Sequence, residues 1–158
     1  ADVTTITENF DLLEPIGYTL KVGILPRAGI RLTKYADLSK LTIAVPLGVI
    51  FDEKFHNDKS LTKISPSQYS NAIQMMKKGR VDAVAGAFSS LKYIAKMHGM
   101  VPNDFGSPLI MKQNELNLVC SKKVAKATRE KLKNTVVTLK KNKSIETIIK
   151  RYLDEGDF

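Results

Sequence analysis

The chain has 158 residues, enough for one ordinary domain with its own core, and its 43% hydrophobic and 26% charged content is that of a globular protein. No apolar run approaches the ~18 residues that a membrane-spanning helix needs, and Cys120, the single cysteine, excludes an internal disulfide. The net charge of +9 is uneven, because residues 121–143 carry nine basic side chains against one acid, Glu130.

In chain order, Tyr18–Leu25 (YTLKVGIL) reads as a strand broken by Pro26 and Gly29. Tyr35–Lys40 is a short turn or helix leading into Leu41–Val45. That run, LTIAV, is apolar apart from Thr42, as expected of a strand buried on both faces. Pro46-Leu47-Gly48 is a turn, and Val49–His56 is expected as a helix with Asp52 and Glu53 near its first turn, where the dipole favours acids. Leu61–Ile64 is a short strand. Ser65 is the expected N-cap of the next helix, with Pro66 at its first position and Gln68 completing a capping box. Tyr69, Ala72, Ile73 and Met76 then share one helical face, and Gly79 ends the helix.

Val81–Ala85 is the next strand, with Gly86 as its exit. Ser89 is placed to cap a helix that presents Leu91, Ile94, Ala95 and His98 on one face and ends at Gly99. A loop with Pro102 and Pro108 leads to the strand Glu115–Cys120. Val124, Thr128, Leu132, Val136 and Leu139 mark one closing helix. Ile145, Ile148, Ile149, Tyr152 and Leu153 mark a second, capped by Asn142 or Ser144. Strands alternating with helices imply an α/β fold with a mostly parallel sheet covered on both faces. In such sheets ligands sit beyond the carboxyl ends of the strands.

Two glycine turns lie at such ends. After LTIAV, the backbone N–H groups of Gly48, Val49 and Ile50 either receive a carboxylate or other anion, or simply begin a helix. After DAVAG, the residues Gly86, Ala87, Phe88 and Ser89 form a second wall. There Phe88 is placed to stack on a ligand, and Ser89 either donates a hydrogen bond or only caps its helix. Asp82 sits early in its strand, away from that rim, and reads as a structural group paired with Arg80. His56 and His98 are too isolated for a metal site, no nucleotide-binding or nucleophile motif occurs, and Cys120 reads as the end of a buried strand. The lysines of residues 121–143 lack interleaved aromatics, so they describe a solvated amphipathic helix and no nucleic-acid partner is expected.

At these residues the chain resembles the type II extracytoplasmic solute-binding proteins, in the branch that binds polar amino acids. The resemblance is carried by DLSKLTIAVPLGV, AIQMMKKGRVDAVAG, LNLVCSKK and LKKNKSIETIIKRYL, with LLEPIGYTLKVGIL as the opening segment and first crossing strand. It covers the chain from about Thr5. It implies a periplasmic-binding-protein-like α/β fold, with a three-layer lobe over residues 27–111. Residues 1–26 would be the remnant of a first lobe with its hinge strand. Residues 112–158 would supply the return hinge strand and the first lobe's closing helices. It also implies a fragment or short form lacking most of that lobe, so that this chain alone is expected to bind amino acids weakly or not at all.

The implied function is binding of a small, polar, amino acid-like ligand for an ABC transporter permease, in a periplasmic setting, with no cofactor and no catalysis. Family members add a Ser or Thr at the positions of Val49 and Ile50 and an Asp near Ala87; this chain has neither. The Arg that grips a ligand carboxylate would precede LLEPIG, and no Arg occurs before Arg27. Apolar stripes left on the closing helices would pack on the remaining lobe, sit partly exposed, or make a homodimer through exposed or swapped helices. Two alternatives share the scaffold. One is the extracellular sensor of a receptor kinase or cyclase, disfavoured by a close, RYLDEGDF, that reads as a domain end. The other is a dehydratase-like enzyme, for which Glu53 and His56 are the nearest acid–base candidates.

Overall fold

The computed structural model describes residues 8–153. Five strands, β1 (Phe10–Pro26), β2 (Thr42–Ala44), β3 (Thr62–Ile64), β4 (Ala83–Ala87) and β5 (Leu109–Ser121), form one sheet in the order β3-β2-β4-β1-β5. Strand β2 is parallel to both β3 and β4, while β1 is antiparallel to β4. The helices are α1 (Glu53–Asn57), α2 (Tyr69–Lys77), α3 (Phe88–Met97), α4 (Lys126–Lys141) and α5 (Ser144–Leu153). The segment Tyr35–Lys40 is a 3-10 helix, as is Pro102–Asp104.

The chain divides into two compact units, one of residues 20–113 and one of the described residues up to Thr19 and from Asn114 onward. In the first unit, alternation along the strands sends side chains to two cores. Leu25, Ala44 and Val84 face α2 and α3, where Ala72, Ile73, Met76, Leu91 and Ala95 close over them. Ile24, Ile43, Ala83 and Ala85 face the other way, toward Leu38, Leu41, Phe55 and Leu61. This is a three-layer α/β lobe of the periplasmic-binding-protein kind. Its short central strands are apolar on both faces because both are covered.

The expected face of α2 is the buried one, with Tyr69 packed at its edge. Its end is a Schellman motif: Gly79 sits at φ +67°, its N–H donates to the Met76 carbonyl, and the Arg80 N–H donates to that of Met75. Gly99, at φ +70°, ends α3 in the same way with bonds to Lys96 and Ala95.

Four expectations need correction. Strands β1 and β5 are much longer than Tyr18–Leu25 and Glu115–Cys120, and β1 runs on through Pro15 and through Gly17 at φ +79°. The helix expected from Val49 begins only at Glu53: the Val49 N–H turns back to the Pro46 carbonyl, and Asp52 caps α1 by accepting from the Phe55 N–H at 2.7 Å. Ser65 is not an N-cap, since α2 starts at Tyr69 and the Pro66 carbonyl is taken by the Leu47 N–H. Ser89 is not one either; Ala87 holds that place and Ser89 lies inside α3.

The second unit contains the outer parts of β1 and β5 together with α4 and α5. Ion pairs tie the strand to the helix: Asp11 with Arg129, and Glu14 with Lys140 at 2.8 Å. The Lys140 ammonium also donates to the Pro15 carbonyl. Cys120 and Val136 are this unit's buried apolar residues among the described ones. The Asn142 side chain accepts from the Ser144 N–H at 3.0 Å, but α5 begins at Ser144, so Lys143 and neither expected residue holds the N-cap place.

Candidate ligand-binding rim

The carboxyl ends of β2 and β3 open onto a cavity of about 190 Å³ within the unit of residues 20–113. The first predicted wall lines it: Gly48, Val49 and Ile50, with Leu47 beside them and Phe55, His56, Lys63 and Ser65 across. Gly48 takes φ +81° with open space where a side chain would stand, so the loop makes its turn at no steric cost. Leu47 and Ile50 are 67% and 65% exposed, an apolar rim facing outward. The loop is pinned where the Leu47 N–H donates to Pro66 and the Val49 N–H to Pro46. The N–H groups of Gly48 and Ile50 have no acceptor among the described residues. They present donors to the cavity as loop amides, not as the start of a helix.

Lys63 is the cavity's cationic group. Its ammonium donates to the carbonyls of Phe55 and His56 at 2.7 and 2.8 Å and lies over the Phe55 ring. Two of its three N–H bonds thus fasten the end of α1, and the charge remains at the cavity edge. No Asp or Glu lines the cavity.

The second predicted wall is different from expectation. Gly86 is not a strand exit; it lies within β4, opposite Gly23 of β1. A Cβ there would stand 2.5 Å from a ring carbon of Tyr69 and 2.9 Å from its hydroxyl, so glycine is what lets the ring pack. The Tyr69 oxygen accepts a hydrogen bond from the Ala87 backbone; burial pushes its pKa up and that bond partly offsets the shift. Phe88 cannot stack on a ligand, because it is only 7% exposed and belongs to the core beneath α3. Ser89 is partly exposed on the first turn of α3. Of the second wall, only Ala87 and Ser89 reach the surface, and neither lines the cavity of the first.

The remaining candidates are structural. Asp82 pairs with Arg27, not Arg80, at 3.1 Å and also accepts from the Thr42 N–H at 2.9 Å, joining the starts of β2 and β4 to the end of β1. His98 meets the Ser70 hydroxyl at 2.7 Å and links α2 to α3. Glu53 is exposed on α1, and His56 is an exposed edge of the cavity. Lys63 and the buried clasp of Tyr69 on Gly86 went unforeseen. Lys63 is the half-buried middle residue of a three-residue strand, and the Tyr69–Gly86 contact spans elements.

No protein-family profile and no curated protein sequence matches the chain. Solved structures do. The second substrate-binding domain of an amino acid ABC transporter from Streptococcus pneumoniae superposes with a TM-score of 0.69 at 21% identity, over 97% of this chain and 68% of that one. An ancestral cationic amino acid solute-binding protein gives 0.71 at 17% identity, over 93% and 63%. A histidine kinase sensor domain similar to periplasmic binding proteins gives 0.67 at 14% identity, over 93% and 64%. The arginine-binding protein of T. maritima is matched over 65% of its length. From its first described strand to its last helix, the chain has the fold of the amino acid solute-binding proteins, of which it spans about two thirds.

Proposed function

We propose that this chain is part of an extracytoplasmic solute-binding domain of an ABC-type uptake system, holding a small polar solute of amino acid size. The likeness of nearly the whole chain to such binding proteins carries this reading. The cavity at the carboxyl ends of β2 and β3 supports it, since open α/β sheets hold their ligands there. In this reading residues 27–111 are the second lobe. Residues 1–26 and 112–158 belong to the first lobe and its hinge strands, and a permease is the partner. Function is binding, with no catalytic step.

Thermal melting against pools of amino acids and small organic acids tests it. A pool containing a solute at ten times its Kd stabilises by about 1.4 kcal/mol, or roughly 3–6 °C in Tm for a chain of this size. Failure of every pool to raise Tm at 10 mM contradicts solute binding by this chain on its own. A second reading, the sensing domain of a receptor kinase, is favoured by the histidine kinase neighbour. The gene sequence following Phe158 separates the two: a transmembrane helix and kinase domain there would select the sensor.

A further inference from the structure

The cavity beside Gly48 is one-sided in its chemistry. Its body is apolar, from Val45, Leu47, Val49, Ile50 and Phe55. Its polar side chains are Lys63, His56 and Ser65, none of them an acid, and the N–H groups of Gly48 and Ile50 have no acceptor among the described residues. The nearest acids are directed elsewhere. Asp52 caps α1, Asp58 accepts from the hydroxyls of Tyr35 and Ser60 and feels the Lys63 charge without lining the cavity, and Glu53 projects from an exposed turn. A carboxylate entering here meets charge-assisted donors. An ammonium entering with it meets Lys63 and no anion, and a charge removed from water without a partner is strongly penalised.

Granting the solute-binding reading above, on which this rests, the geometry points to a ligand of a narrower class: a short aliphatic monocarboxylate without an ammonium group. Lys63 supplies the charge selection, and Leu47, Val49 and Ile50 receive the aliphatic body. The volume of about 190 Å³ suits this size, being room for about six waters at ~30 Å³ each. The zwitterionic α-amino acid of the same skeleton is discriminated against.

Three matched probes test this on the 158-residue chain by amide NMR titration: 4-methylpentanoate, leucine (the same skeleton with an ammonium), and 3-methylbutylamine (leucine without its carboxylate). The expected result is saturating shifts at Gly48, Val49, Ile50 and Ser65 with 4-methylpentanoate, at least about tenfold weaker binding of leucine, and no shift with the amine. Leucine binding there as tightly as 4-methylpentanoate overturns the inference and leaves the solute-binding reading standing. If no probe moves those amides up to 50 mM while a melting pool still stabilises the chain, the inference alone fails. If neither responds, solute binding by this chain on its own fails with it. Lys63→Gln should weaken 4-methylpentanoate about tenfold and erase its advantage over leucine. Because Lys63 also fastens α1, Lys63→Arg serves as the second variant and should retain the preference. A persisting preference in Lys63→Gln of unchanged Tm overturns the role of Lys63.

Discussion

Replacing Phe88 with alanine separates a core residue from a ligand shelf. The ring is 7% exposed at the first position of α3, in the cluster that includes Leu25, Val84, Leu91 and Met100. An aromatic side chain buries roughly 150–250 Å², worth about 4–6 kcal/mol at ~25 cal/mol per Å². Alanine keeps part of that, and measured losses for buried Phe→Ala fall near 3–5 kcal/mol. The site is at a helix start where neighbours can partly close the gap, so the lower end, about 3 kcal/mol, is expected for Phe88→Ala. That is a large share of a typical stability of ~5–15 kcal/mol. Urea unfolding followed by far-UV circular dichroism should show the midpoint falling while the slope stays constant. Phe88→Leu should lose only about 1 kcal/mol, since it refills most of the volume. A Phe88→Ala chain destabilised by less than ~1 kcal/mol would refute the assignment of this ring to the core.

Gly86→Ala should cost about 1–3 kcal/mol by driving a methyl into the Tyr69 ring, and Tyr69→Ala in the same chain should recover part of that loss, a coupling read from a double-mutant cycle. Asp82→Ala should lower stability by about 1–3 kcal/mol by stranding the Thr42 N–H. Arg27→Ala, whose guanidinium is half exposed, should cost under ~1 kcal/mol, and Arg80→Ala within about 0.5; equal effects of the two arginines on Tm would contradict the Arg27 pairing. Burial first, and then the hydrogen bond to Asp58, push the Tyr35 pKa up to about 12. Since an unfolded tyrosine ionises near pH 10, the folded state keeps its proton longer. That stability is full below pH ~10 and is lost as pH rises toward 12. Tyr35→Phe should flatten this slope in Tm between pH 9 and 12, and an unchanged slope would assign it elsewhere.

Much of the fold is legible because it is written locally. The apolar run LTIAV, the i, i+3, i+4, i+7 face from Tyr69 to Met76 and the stop at Gly79 each declare their state within a few residues. The errors share a different origin. Ser65-Pro66-Ser67-Gln68 is a sound capping box, but the Pro66 carbonyl is claimed by Leu47, nineteen positions earlier in the chain. The DAVAG sequence stops on a glycine that reads as a turn. Its reason to be glycine is Tyr69, on another element. Phe88 follows that glycine and reads as exposed; only the packing of α3 on the sheet buries it. Asp82 finds Arg27 across 55 residues, when Arg80 stood two away. At the candidate site, the loop Gly48–Ile50 was readable from strand and turn, while Lys63 was not, because its role depends on where α1 ends.

The two compact units differ in how they are strung. Residues 20–113 form one unbroken stretch, whereas the other unit joins the first described residues to those from Asn114 onward. During synthesis the unbroken unit is complete once Gln113 has emerged, while the other waits at least for Lys140, about 27 residues later, roughly one to five seconds at ~5–20 residues per second. Asp11 and Glu14 precede the unbroken unit in the chain, and their partners Arg129 and Lys140 lie 118 and 126 positions later. Those two acids are made before the unbroken unit and are neutralised only after it is complete, so their segment stays open until α4 arrives.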